Sequence, residues 1–492
     1  MRREGIVCGD RRKCYAGPEH SYKKRVLAEY KLLACGAYTG IMQFYNIIKL
    51  FHMNILIIHQ NFLGQYKHLS PALVRRGDRV VALTPKVKER SSWQGVDIVP
   101  YKIVGSSSKE VHSWLRDLET KVIRAESCFN AAIQLRDQEF SPDVILAHHG
   151  WGEPMFLKDV WTMARIGIYC EYYYGSENSD TAFDPEFCKG ISEKEPIRLR
   201  LRNLNNTLHF DIAAGGISPT LFQANTFPPS FRNKIHVIHD GIDTAHACPN
   251  PDAKLVISQD LTLSRTDEVI SFVNRNLEPY RGCHTFFRAL PKILRNRPNA
   301  HIVVVGGDGA SYGGPPPDGT TWKQRFIDEV RADISDTDWQ RVHFTGLISY
   351  DKFISLLQVS RAHIYLTYPF VLSWSLLETM SAGGAILSSD TASVREVIFD
   401  DETGLLTDFF DTDALADIST GSWMTLGCGL VWTRRRGSWY WIALILKRHA
   451  CRSNCSGWTR WHRPRRIPSL LSLFLCKLYE NDLDTLFFSQ AI

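Results

Sequence analysis

The chain has 492 residues, of which 44% are apolar and 22% charged, so it is long enough for two or three globular domains with cores of their own. Its net charge of +6 comes from the ends: residues 1–52 carry 10 Lys or Arg against 4 Asp or Glu, and residues 419–492 carry 11 against 3. This leaves −8 for residues 53–418, which argues against a nucleic-acid partner.

The two ends also differ from the rest in composition. Together they hold 7 of the 12 Cys and 6 of the 13 Trp, and the tail shows no sustained helical or strand period. Met53, in contrast, is followed directly by a strand-like run. We therefore expect residues 1–52 to be an extension that is not a native domain. Residues 419–492 are interpreted as an atypical tail translated in a shifted reading frame, a hypothesis that the other frames of the DNA can test.

From Met53 onward, short β-rich runs alternate with helical ones. The predicted strands of the N-terminal half lie at 54–60, 79–85, 96–101, 143–149, 166–174 and 216–223, with one helix ending near 75 and another at about 109–137. Several of these strands, such as NILIIHQ, are apolar along most of their length. Such strands, separated by helices, predict a parallel sheet that is covered on both faces.

A second series of the same kind follows residues 224–268, a stretch rich in Pro, Asn and Asp that we interpret as the linker zone. Its predicted strands lie at 269–275, 301–307, 341–346, 363–370 and 385–390, with helices near 284–295 and 321–333, up to about 359, and around Glu378. The predicted fold class is therefore α/β, with two facing Rossmann-like, doubly wound parallel-sheet domains at 53–225 and 226–418. Ligands of such sheets bind at the carboxyl ends of strands and in the cleft between domains.

Two positions of the N-terminal half follow predicted strands and are candidate site residues. Gly64 lies where a backbone can approach another group closely. His148 and His149 stand at the tip of the run DVILAHH, where a histidine can bind a hydroxyl or act as a base. The structural alternatives are a turn glycine and a hydrogen-bonded histidine, and the sequence leaves both open.

The C-terminal half places charged residues on two strand-to-helix loops. In SFVNRNLEPYRG, Arg275 ends a strand, and Arg281 and Gly282 follow it at a helix start, where two cations can hold a diphosphate. In YPFVLSWSLLETMSAGGAILSSD, a Ser-rich turn leads into a helix that carries Glu378. Turn amides and a helix N-terminus attract anions, and a carboxylate one turn into the helix can reach a sugar hydroxyl. The alternatives are a solvated basic loop and a favourable charge near a helix N-terminus.

Taken in order, these motifs resemble a bacterial family 4 glycosyltransferase of the GT-B fold. The resemblance rests on NILIIHQNFLGQYKHLSPAL, HVIHDGID, VNRNLEPYRG, HIVVVGGDG, VHFTG and LLETMSAGG, and it covers residues 53–418. It implies an acceptor-binding N-terminal domain and a C-terminal domain that binds a nucleotide-sugar donor. It also implies a reaction that is retaining and independent of metal ions, with no cofactor besides the donor.

The resemblance assigns roles to the candidate residues. Arg275 matches the family's arginine on the donor diphosphate, and Arg281 falls where relatives usually have lysine followed by glycine. Gly64 matches the loop glycine that faces the donor phosphates, and His148 or His149 matches the histidine near the sugar. Glu378 matches the second glutamate of the E-x7-E motif, which typically binds the nucleotide ribose.

The segment from Leu372 to Leu376, with Ser373, Ser375 and Leu376 as donor-binding residues, would line the phosphate site. The main departure from the family is Phe370, which stands where many relatives have the first glutamate of the motif, a residue that contacts the sugar or assists the reacting centre. A second departure is the tail, in which nothing resembles the C-terminal helix that usually crosses back onto the N-terminal domain.

The expected function is therefore transfer of a hexose from a nucleotide sugar to a glycan or lipid-linked acceptor, as in polysaccharide biosynthesis. We expect a cytoplasmic protein, or one in peripheral contact with the inner face of the cell membrane. One alternative is a nucleotide-sugar epimerase. The other is a non-catalytic nucleotide-sugar binder or a truncated, inactive product, and Phe370 and the unusual tail support this second alternative.

Overall fold

The computed structural model describes residues 52–177, 179–187 and 192–419, together with the backbone of two further strands at 428–435 and 438–445. The extension up to residue 51 and the rest of the tail lie outside the described residues, so the expectations about their origin stay predictions. The two tail strands, β17 (Cys428–Arg435) and β18 (Ser438–Ile445), pair antiparallel as a hairpin.

The first half of the chain forms an eight-stranded sheet in the order β3-β4-β2-β1-β5-β6-β7-β8. All neighbouring strands run parallel except β3 and β4. The strands are β1 (Asn54–Ile58), β2 (Arg79–Thr84), β3 (Ser91–Trp93), β4 (Val96–Pro100), β5 (Val144–His148), β6 (Arg165–Tyr169), β7 (Ala213–Ser218) and β8 (Ile235–Val237).

Helices lie between these strands and cover the sheet. They are α1 (Leu69–Arg76), α2 (Arg116–Asp137), α3 (Leu157–Val160), α4 (Glu195–Arg202), α5 (Leu204–Ile212), α6 (Leu221–Asn225) and α7 (Pro229–Arg232). The predicted strand at 216–223 ends at Ser218, because the Thr220 side chain accepts the Gln223 amide and starts α6. The sheet continues through β8, beyond residue 225, where the sequence placed the end of this domain.

The second half contains six parallel strands in the order β13-β12-β11-β14-β15-β16. They are β11 (Glu268–Asn276), β12 (Ala300–Gly307), β13 (Val342–Gly346), β14 (Ala362–Tyr365), β15 (Ala385–Ser389) and β16 (Leu405–Thr407). A hairpin of β9 (Lys254–Val256) and β10 (Thr262–Ser264), which the sequence did not predict, precedes them.

The helices of this half are α8 (Cys283–Asn296), α9 (Trp322–Val330), α10 (Asp336–Trp339), α11 (Tyr350–Val359), α12 (Trp374–Ser381) and α13 (Thr412–Ile418). The strand predicted at 363–370 ends at Tyr365. The Thr367 amide bonds to the Ser389 hydroxyl, the Tyr368 amide bonds to a loop carbonyl, and Pro369 has no amide hydrogen. Residues 366–373 therefore leave the sheet and form a loop, which contributes several residues to the candidate site described below.

Each sheet has its own hydrophobic core, as the apolar runs predict. Leu56 and Ile145 belong to a buried cluster around the first sheet, whereas Phe272, Phe286 and Ile302 belong to one around the second. The predicted class, two doubly wound α/β domains, is confirmed. Within the described residues, no helix is both long and apolar enough to cross a membrane.

One segment of the N-terminal half, Ser179–Phe187, packs on the C-terminal half, and we call it the crossing segment. The buried Asp184 carboxylate accepts the Tyr368 hydroxyl at 2.8 Å and lies 3.1 Å from His284 Nε2. Arg288 donates to both oxygens of Glu186 at 2.7 and 2.8 Å. These contacts hold the two halves together along one side.

Candidate active site

On the C-terminal side, the site is built around Arg281, which ends the 3₁₀ turn after β11. Its side chain is buried and donates to Thr367 Oγ1 at 2.7 Å, and it lies 3.4 Å from the Tyr365 hydroxyl. That hydroxyl in turn accepts the Ser373 amide at 2.8 Å. The Tyr365 hydroxyl therefore contacts both Arg281 and Ser373, the residue at the start of α12.

The local backbone explains why Arg281 lies so deep. Gly282 follows it with φ +67°, and a Cβ there would lie 2.3 Å from Leu366 Cβ. Only glycine allows this turn to pack against the loop after β14. Arg281 forms no ion pair with the described residues, although buried charges are normally paired. The position therefore favours an anionic ligand.

The start of α12 presents amides near this arginine. Ser373 caps the helix, and its side chain accepts the Ser375 amide at 3.3 Å and lies 3.0 Å from the Ser375 hydroxyl. The Leu376 amide is 3.3 Å from the Ser373 carbonyl oxygen. The three residues predicted from the sequence thus meet in one turn, and a diphosphate would compete with this internal cap.

Arg275 lies at the carboxyl end of β11, beside β14. Its side chain is exposed, and with the part of the chain that the structure describes its guanidinium makes no hydrogen bond or ion pair. Arg275 is therefore free to bind a ligand, whereas Arg281 is already anchored.

Phe370 has aromatic rings around it on several sides. Its ring centroid lies 4.8 Å from that of Tyr172, 5.4 Å from Tyr280 and 5.2 Å from Tyr312, and the Arg281 guanidinium is 5.9 Å away. Tyr172 belongs to the N-terminal half, so this contact brings the two halves together beside Arg281. The position that carries a glutamate in many relatives is part of an aromatic wall here.

Glu378 lies one turn into α12 and is buried. Its Oε1 accepts the Tyr350 hydroxyl at 2.7 Å. Burial raises the pKa of this carboxyl, against the lowering effect of the Tyr350 hydrogen bond. Lys67 of the N-terminal half lies with its Nζ 4.3 Å from the centroid of the Tyr350 ring. A lysine of the N-terminal half thus contacts the tyrosine that binds Glu378.

On the N-terminal side, His148 ends β5 and pairs with a carboxylate. Its Nδ1 accepts the Gly150 amide at 3.0 Å, so its proton resides on Nε2, which lies 3.4 Å from Glu171 Oε2. Glu171 follows β6, the neighbouring strand. Burial opposes ionisation of Glu171, but nearby imidazoles, chiefly His148, lower the pKa of this carboxyl to about 2.

A chain of hydrogen bonds extends from Glu171 to the first strand. Gln65 donates to Glu171 Oε1 at 3.1 Å, and its carbonyl oxygen lies 2.7 Å from His59 Nε2. His59 Nδ1 accepts the Asn61 amide at 3.1 Å. Burial and the nearby His148 lower the pKa of His59 to about 4, so this ring stays neutral near pH 7. Sequence reasoning missed His59, Gln65 and Glu171, although all of them come shortly after strands.

His149 is engaged elsewhere. Its Nδ1 lies 3.0 Å from Asn206 Oδ1, and its Nε2 accepts the Tyr172 amide at 3.2 Å. Burial lowers the pKa of His149 to about 3. Both ring nitrogens therefore have partners within the N-terminal half, and of the two histidines it is His148 that lies beside Glu171.

Gly64 lies against the ring of His59, and only a residue without a side chain fits there. Its φ is +49°, and a Cβ would lie 2.2 Å from His59 Cε1. We expect Gly64→Ala to lower the free energy of unfolding by about 1–3 kcal/mol, the cost of strained backbone, and to displace His59. Denaturant unfolding measures the loss. Gly314→Ala is the matched control, because nothing lies within 4 Å of a Cβ at that position. Equal stability of the two variants would contradict the prediction.

Comparison with known families identifies the class of protein. Residues 76–247 match the family model described as Glycosyl transferase family 4 group, and residues 254–420 match the one described as Glycosyl transferases group 1. These two matches cover most of both α/β domains. The chain therefore belongs to the family 4 glycosyltransferases, and its two domains are those of the GT-B architecture.

The individual proteins that the chain resembles share 27% of its residues or fewer in the matched regions. Over 157 residues the chain is 27% identical to the phosphatidyl-myo-inositol mannosyltransferase of Mycolicibacterium smegmatis, a match that covers 31% of this chain and 35% of that protein. The chain thus spans about a third of the length of this relative. Among solved structures, sucrose-phosphate synthase from Thermosynechococcus elongatus superposes with a TM-score of 0.55 at 17% identity, over 74% of this chain and 88% of that one. Anabaena HepE in complex with UDP and glucose superposes with a TM-score of 0.50 at 16% identity, over 75% and 89%. These structures share the fold.

Proposed function

We propose that the chain transfers a hexose from a nucleotide-sugar donor to a glycan or lipid-linked acceptor, with retention of configuration and without a metal ion. The observation that carries the proposal is Arg281, a buried cation that forms no ion pair with the described residues. It is tied to the start of α12 and reaches the N-terminal half through the contact between Phe370 and Tyr172.

The donor would bind to the C-terminal half. When the sugar leaves the diphosphate, negative charge develops on the departing oxygen. Arg281, Arg275 and the amides at the start of α12 would stabilise this charge, which a metal ion does in other transferases. Glu378 would accept hydrogen bonds from the ribose hydroxyls, in exchange for its bond to Tyr350. HepE, which shares the fold, was solved with UDP, so UDP is the first nucleotide to test.

The acceptor would bind to the N-terminal half, next to His148. Because Nδ1 of His148 accepts the Gly150 amide and Nε2 faces Glu171, the ring would take a proton from an acceptor hydroxyl only after releasing the Gly150 amide; without that change it would hold the sugar by a hydrogen bond. The matched mannosyltransferase is named for a phosphatidyl-inositol, which is a lipid. This name supports a lipid-linked acceptor, and with such an acceptor the protein would be in peripheral contact with the inner face of the membrane.

Two measurements on the full chain test this proposal. First, the melting temperature is compared with and without UDP, GDP and ADP, and a rise with one of them identifies the base. Second, the matching nucleotide sugars are incubated with and without a lipid or glycan acceptor, in buffer with a chelator. Sugar transfer that persists with the chelator supports the proposal. Conversion of the donor alone into its epimer would indicate an epimerase, and binding without turnover would indicate a non-catalytic binder.

Glu378→Gln is expected to weaken binding of the free nucleoside diphosphate about tenfold, since a hydrogen bond to a charged group contributes about 1.5–3 kcal/mol. Isothermal titration calorimetry measures the change. Glu402→Gln, the same substitution at an exposed position, is the control and should bind as the wild type does. Equal affinities in the two variants would place the ribose elsewhere.

A further inference from the structure

Asp240 lies in the connection between the two sheets, after β8 and before β9. Its Oδ2 accepts hydrogen bonds from the Tyr169 hydroxyl at 3.1 Å and from Trp374 Nε1 at 2.8 Å. Its Oδ1 makes no hydrogen bond with the described residues, and the residue is partly exposed. The sequence showed this aspartate only as part of HVIHDGID and assigned it no role.

The two donors belong to opposite halves of the proposed site. Tyr169 is the last residue of β6, its ring stacks on His148 at 5.5 Å, and Glu171 follows two residues later. Trp374 is the first residue of α12, directly after the cap Ser373. A single carboxylate oxygen thus joins the His148–Glu171 pair to the helix start where the diphosphate would bind.

We propose that Asp240 is a positioning residue for sugar transfer, which sets the distance between the acceptor-side pair His148–Glu171 and the donor-side start of α12. This inference rests on the proposed function and deepens it. Both hydrogen bonds reach one oxygen atom, so they form together only in one relative arrangement of Tyr169 and Trp374. Since Asp240 belongs to the connection between the sheets, a movement of one domain against the other would break at least one of these bonds.

The charge of Asp240 determines how strongly it holds the two donors. An ionised carboxylate accepts shorter and stronger hydrogen bonds than a neutral acid does. Burial raises the pKa of Asp240 to about 7, although the Trp374 and Tyr169 hydrogen bonds oppose this rise. The titratable groups that interact with it are Tyr66, Tyr169, His148 and Glu171. The link is therefore strongest above pH 7 and weakens as the carboxylate takes up a proton below it.

The test is Asp240→Asn, which keeps the size of the side chain but removes its charge at every pH. We expect kcat for sugar transfer at pH 8 to fall about tenfold, at the lower end for a hydrogen bond to a charged group. The KM for the donor should stay within about threefold. The rise of kcat between pH 6 and pH 8 in the wild type should become smaller in the variant.

The control is Asp243→Asn, the same substitution three residues later, where the exposed carboxylate, among the described residues, accepts the Ala245 and His246 amides. It should keep the wild-type kcat and pH profile. The inference is overturned if Asp240→Asn behaves like this control, or if its whole effect is on the KM for the donor. A wild-type chain that binds nucleotide but transfers no sugar overturns the proposed function.

A second readout needs no turnover. Because the Asp240 carboxyl binds its proton more tightly in the folded state, wild-type stability should fall relative to Asp240→Asn as the pH rises from about 4 to about 7. Thermal unfolding of both proteins across this range measures the difference. Parallel curves would overturn the pH dependence that the inference assigns to Asp240, even if no acceptor is known.

Discussion

Arg275→Ala is expected to reduce sugar transfer about a hundredfold, the scale of losing one preorganised donor to developing charge. The side chain is exposed and makes no hydrogen bond or ion pair with the described residues, so its loss should leave the fold intact. The reduction should therefore appear in kcat/KM while the melting temperature stays near that of the wild type. Steady-state kinetics with the nucleotide sugar, and thermal unfolding of the same samples, provide both values.

A matched control separates this effect from a general loss of positive charge. Arg295→Ala removes an exposed arginine from the last turn of α8 and should keep wild-type kinetics. Arg281→Lys is informative beside it, because it retains the charge where relatives usually have lysine but loses the planar guanidinium. If Arg275→Ala transfers sugar at the wild-type rate, Arg275 does not bind the donor.

His148→Ala is expected to lower kcat for transfer by about a hundredfold or more, the range for loss of a general acid or base. The Nε2 of His148 lies 3.4 Å from Glu171, which holds the ring beside the proposed acceptor site. Glu171→Gln should lower kcat in the same direction by a smaller factor, because the imidazole stays in place but loses its charged partner. Rate measurements from pH 5 to pH 9 would show whether the two substitutions act on the same step.

His149→Ala serves as the comparison at the next residue. Since both nitrogens of His149 have partners within the N-terminal half, its loss should lower stability more than kcat. If His149→Ala rather than His148→Ala abolishes transfer in folded protein, the assignment of the two histidines is reversed.

The aromatic rings around Phe370 make the proposed donor site more apolar than the family resemblance implies. Asp180 of the crossing segment accepts the hydroxyls of two of these rings, Tyr172 and Tyr280. Both tyrosines contact Phe370, the position where the family resemblance implies a glutamate in many relatives. The crossing segment also provides contacts between the halves that do not depend on residues after 419.

The sequence by itself determined the main parallel strands of both domains, the two cores and the loops that carry the charged residues, but not the short strands β3, β8, β9, β10 and β16. That Arg281, Ser373 and Glu378 lie near one another was predictable, because each follows an apolar strand and the carboxyl ends of parallel strands meet at one edge of a sheet. The ends of individual strands were less predictable, since bonds such as that from the Thr367 amide to Ser389 depend on a neighbour outside the local run.

Only the tertiary structure decided which groups are partners. His59, Gln65 and Glu171 join His148 because β1, β5 and β6 are adjacent in the sheet, although Gln65 and Glu171 are far apart in sequence. Asp240 meets Tyr169 and Trp374 because the two domains face each other across the connection that carries it. A local pattern records the neighbours of a residue along the chain, whereas these contacts depend on strand order and on the packing of one domain against the other.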